Sequence, residues 1–208
     1  MKVKGLLFGV GINDADYDVT ITRTVNGKRK IVWTCPFYSR WQSMISRCYD
    51  ERFHIKNPSY KGCSVCEEWK TLSNFKKWME QQNWQGKQLD KDILVPENKE
   101  YGPRTCIFVS RQLNCILIDA PGYQRGSIKC PKGVSWNKKH KIFYANITLR
   151  GRRIYLGGTK TVEEASRLYK KAKSEYLLEW ANNLTSEDTS DIELTKEALI
   201  RHAGLLLG

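Results

Sequence analysis

Between Phe143 and Arg150 the chain alternates: Phe143, Ala145, Ile147 and Leu149 are apolar, with Tyr144, Asn146, Thr148 and Arg150 set between them. A period of two is that of a strand with one buried face. A Gly-Arg-Arg turn at Gly151 leads to a second run, in which Ile154 and Leu156 share one face while Arg153 and Tyr155 share the other. Together the two runs predict a hairpin. Lys132-Gly133-Val134-Ser135-Trp136 suits a third strand, with Val134 on the apolar side. Beyond Gly157-Gly158, Thr161 stands three residues ahead of Glu164, the spacing of a capping box that satisfies free backbone N–H groups at a helix start. Ala165, Leu168, Tyr169, Ala172, Tyr176, Leu177 and Trp180 follow at three- and four-residue steps. That stripe predicts a helix covering the apolar face of the sheet. The opposite face then presents Lys132, Asn146, Thr148, Arg150, Arg153 and Tyr155 to solvent.

The first half of the chain has its own pattern. Val19 to Thr22 and Lys30 to Trp33 flank Asn26-Gly27, a pair that favours positive φ, and so predict an exposed β-hairpin. Its Arg23, Lys28, Arg29 and Lys30 suit phosphate contact, although exposed hairpins are commonly basic for solubility. From Pro36 the spacing turns helical, with Trp41, Met44, Ile45, Cys48 and Tyr49 on one face. Asp50 to Lys61 reads as irregular. A second helix runs through Phe75, Trp78 and Met79, and these aromatics follow the helix stripe, which assigns them to the core. Leu89 to Leu94, a polar loop from Pro96 to Pro103, Thr105 to Val109 and then Ser110 to Asn114 read as strand, loop, strand and helix. This is the outline of a ββα unit, with Asp90 and Asn114 placed to converge on one ion. Asp119 to Gly126 reads as a linker in which Arg125 is available to a nucleic-acid backbone. Residues 182–191 are polar and read as mobile; Leu194 to Leu207 form a final helix without an assigned partner. The expected class is α+β, divided into a hairpin region (1–34), a ββα region (35–118), a linker (119–127), a sheet-and-helix module (128–183) and an acidic helical tail (184–208).

Charge narrows the partners. The 208 residues carry 35 Lys and Arg against 22 Asp and Glu, a formal net charge of +13 with a pI near 9.4. From Ile128 to Asn183 there are 13 bases and 4 acids, whereas Leu184 to Gly208 hold five acids and two bases. A basic body with an acidic tail points to an anionic polymer. A solvated face on a small basic domain is the competing reading of the same composition. Seven cysteines cannot close into a disulfide set, and Met1 is followed by no signal-like regions, so a reducing cytoplasm is expected. The apolar runs are too short for a membrane-spanning helix.

Lys132-Gly133-Val134, Tyr144-Ala145-Asn146-Ile147, Arg153-Ile154-Tyr155-Leu156-Gly157, Thr161-Val162-Glu163-Glu164-Ala165 and Tyr169 together resemble an APETALA2-type DNA-binding domain. The resemblance implies a three-stranded sheet in the major groove with a helix behind it, reading through Lys132, Ser135, Asn137, Asn146, Thr148, Arg153 and Tyr155. The family usually has arginine at Ser135, Asn137 and Thr148, glutamate at Asn146 and tryptophan at Tyr155. The fold therefore carries over better than the base preference. Trp41 to Tyr49, Val65-Cys66-Glu67-Glu68-Trp69 and the ββα outline resemble phage-encoded HNH endonucleases, particularly the homing type with an APETALA2-like module behind the nuclease. This resemblance covers most of residues 8–180. It implies double-stranded DNA as partner, metal-dependent phosphodiester hydrolysis and a bacterial host cytoplasm.

In that pattern the catalytic positions fall on Asp90, Lys91, Thr105 and Asn114, and the resemblance implies Mg²⁺ or Mn²⁺ held by Asp90 and Asn114. Lys91 stands where the family has its histidine base, and a lysine is protonated at neutral pH unless desolvated. Its expected role is to hold phosphate, with Asp92 or another residue activating water; His54 is the histidine that precedes the motif in the same region. Thr105 replaces an asparagine that ties the loop. The alternative is that Asp90 and Asn114 only cap the ββα unit, in a catalytically degenerate DNA-binding regulator or an inhibitor of a host process. RNA binding by the basic sheet is a third reading. Cys48, Cys66 and Cys106 also match cysteines of the resembling proteins, which implies a structural Zn²⁺ with His54 or Cys63 as fourth ligand; Cys63-Ser64-Val65-Cys66 is a lone CxxC. Against zinc stands the packing of free cysteine as a small apolar residue.

Overall fold

A computed structural model describes residues 6–117, 123–125 and 128–208. The architecture is α+β, with small sheets and helices and a three-stranded antiparallel sheet in the second half. The chain divides into two compact units, Met1–Arg111 with Thr189–Asp191, and Gln112–Asp188 with Ile192–Gly208.

In the first unit β1 (Thr20–Val25) and β2 (Lys28–Thr34) form the expected hairpin. Asn26 at φ 51° and Gly27 at φ 73° supply the two positive values of a type I′ turn. The first helix, α1 (Pro36–Tyr49), opens with proline in its first turn and buries Trp41, Met44, Ile45 and Cys48. Part of the stretch expected to be irregular is a helix, α2 (Glu51–Lys56), whose start is held by the Asp50 carboxylate accepting from Arg52 N at 2.9 Å. It buries no residue, so its sequence carries no apolar period. Then follow β3 (Ser64–Val65), α3 (Leu72–Glu80), β4 (Gln88–Asp90), β5 (Glu100–Tyr101) and β6 (Ile107–Val109). β3 pairs in parallel with β5, and β4 pairs antiparallel with β6, setting Leu89 opposite Phe108 and Asp90 opposite Ile107.

The core of this unit is aromatic. Trp41, Trp69, Phe75, Phe108 and Tyr101 are fully buried, and Trp41 Nε1 donates to Trp69 O at 2.7 Å. This is the core role the helix stripe assigned to Phe75 and Met79, with Trp78 stacked on Phe108. Residues 189–191 complete the edge: Ser190 N donates to Phe108 O at 2.8 Å, and Phe108 N donates to Ser190 Oγ at 3.2 Å. A segment expected to be mobile is thus an extra rung beside β6.

The second unit holds α4 (Arg111–Leu117) from Gln112 onward, β7 (Tyr123–Arg125), β8 (Ile128–Cys130), β9 (Val134–Asn137), β10 (Ile142–Leu149), β11 (Arg152–Thr159), α5 (Val162–Asn182) and α6 (Ile192–Leu207). Within the expected linker, 123–125 pair with 128–130; residues 119–122 and 126–127 and the Arg125 side chain lie outside what is described. The sheet order is β11-β10-β9. Helix α5 starts at the expected cap, Thr161 Oγ1 accepting from Glu164 N at 3.3 Å. It packs on all three strands, and Ala165, Val162 and Leu168 join Val134, Ala145, Trp136 and Phe143 in one cluster. Further along, Ser174 Oγ donates to Ala203 O at 3.0 Å, which identifies α6 as the partner of the second half of α5. Among the described residues no helix is long and apolar enough to cross a membrane.

Candidate nucleic-acid interface

Strand pairing decides which residues share a face. Across β10 and β11, Thr148 lies opposite Arg153 and Asn146 opposite Tyr155; across β10 and β9, Tyr144 lies opposite Ser135 and Ile142 opposite Asn137. The intervening set, Ala145, Ile147, Val134 and Phe143, lies on the side that α5 covers. The register slips by one residue after Ala145, which sets Leu156 on the apolar side without moving Tyr155 off the outer face. Thr148, Arg153 and Tyr155 are exposed, and Ser135, Asn137, Tyr144 and Asn146 are half-buried. They share the outer face of the three paired strands.

The outer face is built by close fits as well as by alternation. The rings of Tyr144 and Tyr155 meet edge to face at 5.3 Å. A methyl group at Gly158 would lie 2.8 Å from Ile142 Cδ1 and 3.0 Å from the Tyr155 hydroxyl, so this glycine leaves room for both side chains. Tyr144 was legible as a member of the polar set, and the structure places it on the outer face beside Tyr155.

Two expected contact residues are engaged elsewhere. Arg150 was placed on the strand face, but it sits in the β10–β11 turn at φ 49°, followed by Gly151 at φ 77°, and pairs with Glu179 at 2.8 Å. The turn is Arg150-Gly151, one residue earlier than the Gly-Arg-Arg reading placed it. Asn137 Oδ1 accepts from His140 N at 3.0 Å and closes the β9–β10 turn. Lys132 is half-buried just before β9 and is itself engaged.

The HNH-like positions make a different picture. Asp90 Oδ1 accepts from Asp92 N and Ile93 N, both at 2.8 Å, so its carboxylate caps the turn that ends β4. Burial pushes the Asp90 carboxyl up from the usual carboxylate range, and those two N–H groups oppose the shift. Lys91 is 6% exposed. Its ammonium donates to Asp92 Oδ1 and to Asn98 O, both at 2.6 Å, and lies over the Tyr101 ring. Asn98 answers by donating to Lys91 O at 2.9 Å and Glu100 O at 2.6 Å, while Thr105 Oγ1 donates to Glu100 O at 2.8 Å. Lys91 therefore holds its own loop closed. Asn98 ties this loop from within, a role that sequence reasoning missed. Its signal was an amide side chain in the middle of a polar loop, a type that bonds readily to nearby backbone.

Asn114 lies on α4 in the second unit, half-buried and engaged. His54 Nε2 is hydrogen-bonded to Arg47 O at 2.8 Å. Among the described residues no three His, Cys, Asp or Glu side chains form a group able to hold an ion. The set expected for Zn²⁺ (Cys48, Cys66 and Cys106 with Cys63 or His54) does not come together as a ligand shell. Burial pushes the Cys48 and Cys106 thiols up to about 12 and raises Cys66 as well. That favours the neutral thiol. These cysteines read as packed apolar groups.

No protein family, characterised protein or solved structure matches this chain.

Proposed function

We propose that the protein binds double-stranded DNA through the outer face of β9, β10 and β11, in the manner its resemblance to the APETALA2-type domain implies. The observation that supports this reading is the registered set Thr148–Arg153, Asn146–Tyr155 and Tyr144–Ser135 on the sheet face away from α5. These are donors, acceptors and aromatic edges on a surface whose strands suit the major groove of B-DNA. The surrounding module carries 13 bases against 4 acids, which supplies the sequence-independent attraction to phosphate. A-form RNA has a major groove too deep and narrow for such a sheet, so duplex DNA is the favoured partner.

For the central ββα unit the reading is that of a scaffold without cleavage. Lys91 in place of a histidine, buried against Asp92 and Asn98, favours the degenerate binder over the metal-dependent endonuclease.

Fluorescence anisotropy with a labelled duplex over a salt series tests the binding. Duplex DNA is expected to bind with an affinity that falls steeply with salt, and Arg153→Ala to weaken it about tenfold, roughly 1.4 kcal/mol. Absence of salt-dependent duplex binding would remove the reading. Supercoiled plasmid incubated with the protein and Mg²⁺ or Mn²⁺ is expected to stay intact; nicking by the parent and not by Asp90→Ala would restore the endonuclease reading.

A further inference from the structure

The β1–β2 hairpin has a charge arrangement that its own fold does not explain. Both strands are exposed along almost their whole length, including Ile31 at 64% and Trp33 at 43%. Register sets Arg23 directly opposite Lys30, with Arg29 and Lys28 on the next two rungs. Like charges facing each other across a ladder destabilise it, and a two-stranded hairpin has little stability in reserve. From Val19 to Tyr49 the chain contains six Lys and Arg residues and no acid. Among the described residues none of the four hairpin cations has an ion-pair partner, whereas Lys70, Lys76 and Lys91 of the same unit pair with Glu67, Glu80 and Asp92. A surface tuned only for solubility interleaves both signs. This one concentrates a single sign at the tip of a ribbon.

We infer that the hairpin is a second DNA-contacting arm, which lays Arg23, Lys28, Arg29 and Lys30 against the phosphates of a duplex. The inference rests on the reading of the protein as a duplex-DNA binder. Charge complementarity identifies the occupant as a polyanion, and shape narrows it. B-DNA's major groove, about 12 Å wide, admits a two-stranded ribbon. The slip in pairing between Ile21 and Thr22 adds local twist, and twist is what a ribbon needs to follow a helical groove. The arm carries charge and little base-reading capacity, so it contributes affinity without choice of sequence. Neutralisation by phosphate also relieves the Arg23–Lys30 repulsion.

The test uses the full chain with Arg23, Lys28, Arg29 and Lys30 all changed to Gln, beside Arg153→Ala and beside a charge-keeping variant, Arg23→Lys with Arg29→Lys. Duplex affinity is measured by anisotropy between 50 and 200 mM salt, with circular dichroism and thermal unfolding confirming the fold. Each phosphate contact contributes about 0.9 to the salt slope, so the four-site variant is expected to lose about 3.6 from it. Its affinity loss between the two salt concentrations then narrows by about 100-fold. The charge-keeping variant should retain the parental slope, and Arg153→Ala should reduce it by about one at most. A four-site variant with the parental slope, while Arg153→Ala still weakens binding, would overturn the arm and leave the sheet reading standing. Loss of duplex binding from the parent itself would overturn both. Binding of the hairpin cations to anionic lipid vesicles in preference to duplex DNA would overturn the arm as well.

Discussion

Gly133→Ala is expected to destabilise the second unit by roughly 4 kcal/mol, combining a left-handed backbone penalty with overpacking of a filled site. Gly133 sits at φ +78°, a conformation that side chains rarely adopt. A methyl group there would lie 2.0 Å from Cδ2 and 2.4 Å from Cγ of Tyr169, whose ring lies against the glycine backbone. Tyr169 is buried on α5, and Gly133 O accepts from Asn146 N at 2.7 Å, so neither partner can retreat without loosening helix or sheet. The β9 strand and the placement of Ser135 and Asn146 on the outer face depend on this contact. Urea unfolding followed by far-ultraviolet circular dichroism measures the loss. A change below about 1 kcal/mol would mean that the ring moves aside freely, and that β9 is not held by the helix as described.

Lys91→Met is expected to destabilise the first unit by about 2 kcal/mol while leaving duplex affinity within about twofold of the parent, because it leaves the half-buried Asn98 carbonyl without its donor. The two outcomes separate two roles for one residue. A lysine that grips phosphate would lose affinity and salt dependence on substitution and cost little stability. A lysine that closes the loop from Asp92 to Asn98 does the reverse. Asp92 is half-exposed, with 54% of its side chain accessible, so it rehydrates when its partner is removed and adds little to the cost. Denaturant unfolding and anisotropy on the same preparation give both numbers.

Much of the fold was legible where its elements are specified locally. The alternation from Phe143 to Leu149, the Thr161 cap and the Asn26-Gly27 turn each depend on residues within a few positions of one another, and the structure places all three as expected. Alternation ran one residue too far at Arg150, because an arginine at positive φ is an uncommon first member of a turn and its charge suggested a solvent-facing strand. The features that stayed hidden are set by distant partners. The two-residue strands β3 and β5 exist only because they pair with each other, and Thr189 to Asp191 is ordered by Phe108 and Val109, about eighty residues earlier in the chain. In the same way α6 has a partner in α5 through a hydrogen bond from Ser174 Oγ to the Ala203 carbonyl, which residue spacing does not announce. At the HNH-like positions the sequence located the strand-end aspartate and the helix asparagine. The commitment of Asp90 to backbone N–H groups and the burial of Lys91 are facts of geometry that spacing does not contain.

The central claim is that one face of the β9-β10-β11 sheet meets duplex DNA, and the most direct measurement introduces the same charge on and off that face. Thr148→Glu puts an acid on the exposed outer surface opposite Arg153, and Asn182→Glu puts one at the exposed end of α5 in the same unit. Both change the net charge equally. Anisotropy titration with a labelled duplex at fixed salt is expected to show at least about a tenfold loss for Thr148→Glu and no more than about twofold for Asn182→Glu, since like-charge juxtaposition costs most where the surfaces touch. Equal losses for the two variants would contradict the claim, leaving only a general attraction between a basic protein and a polyanion.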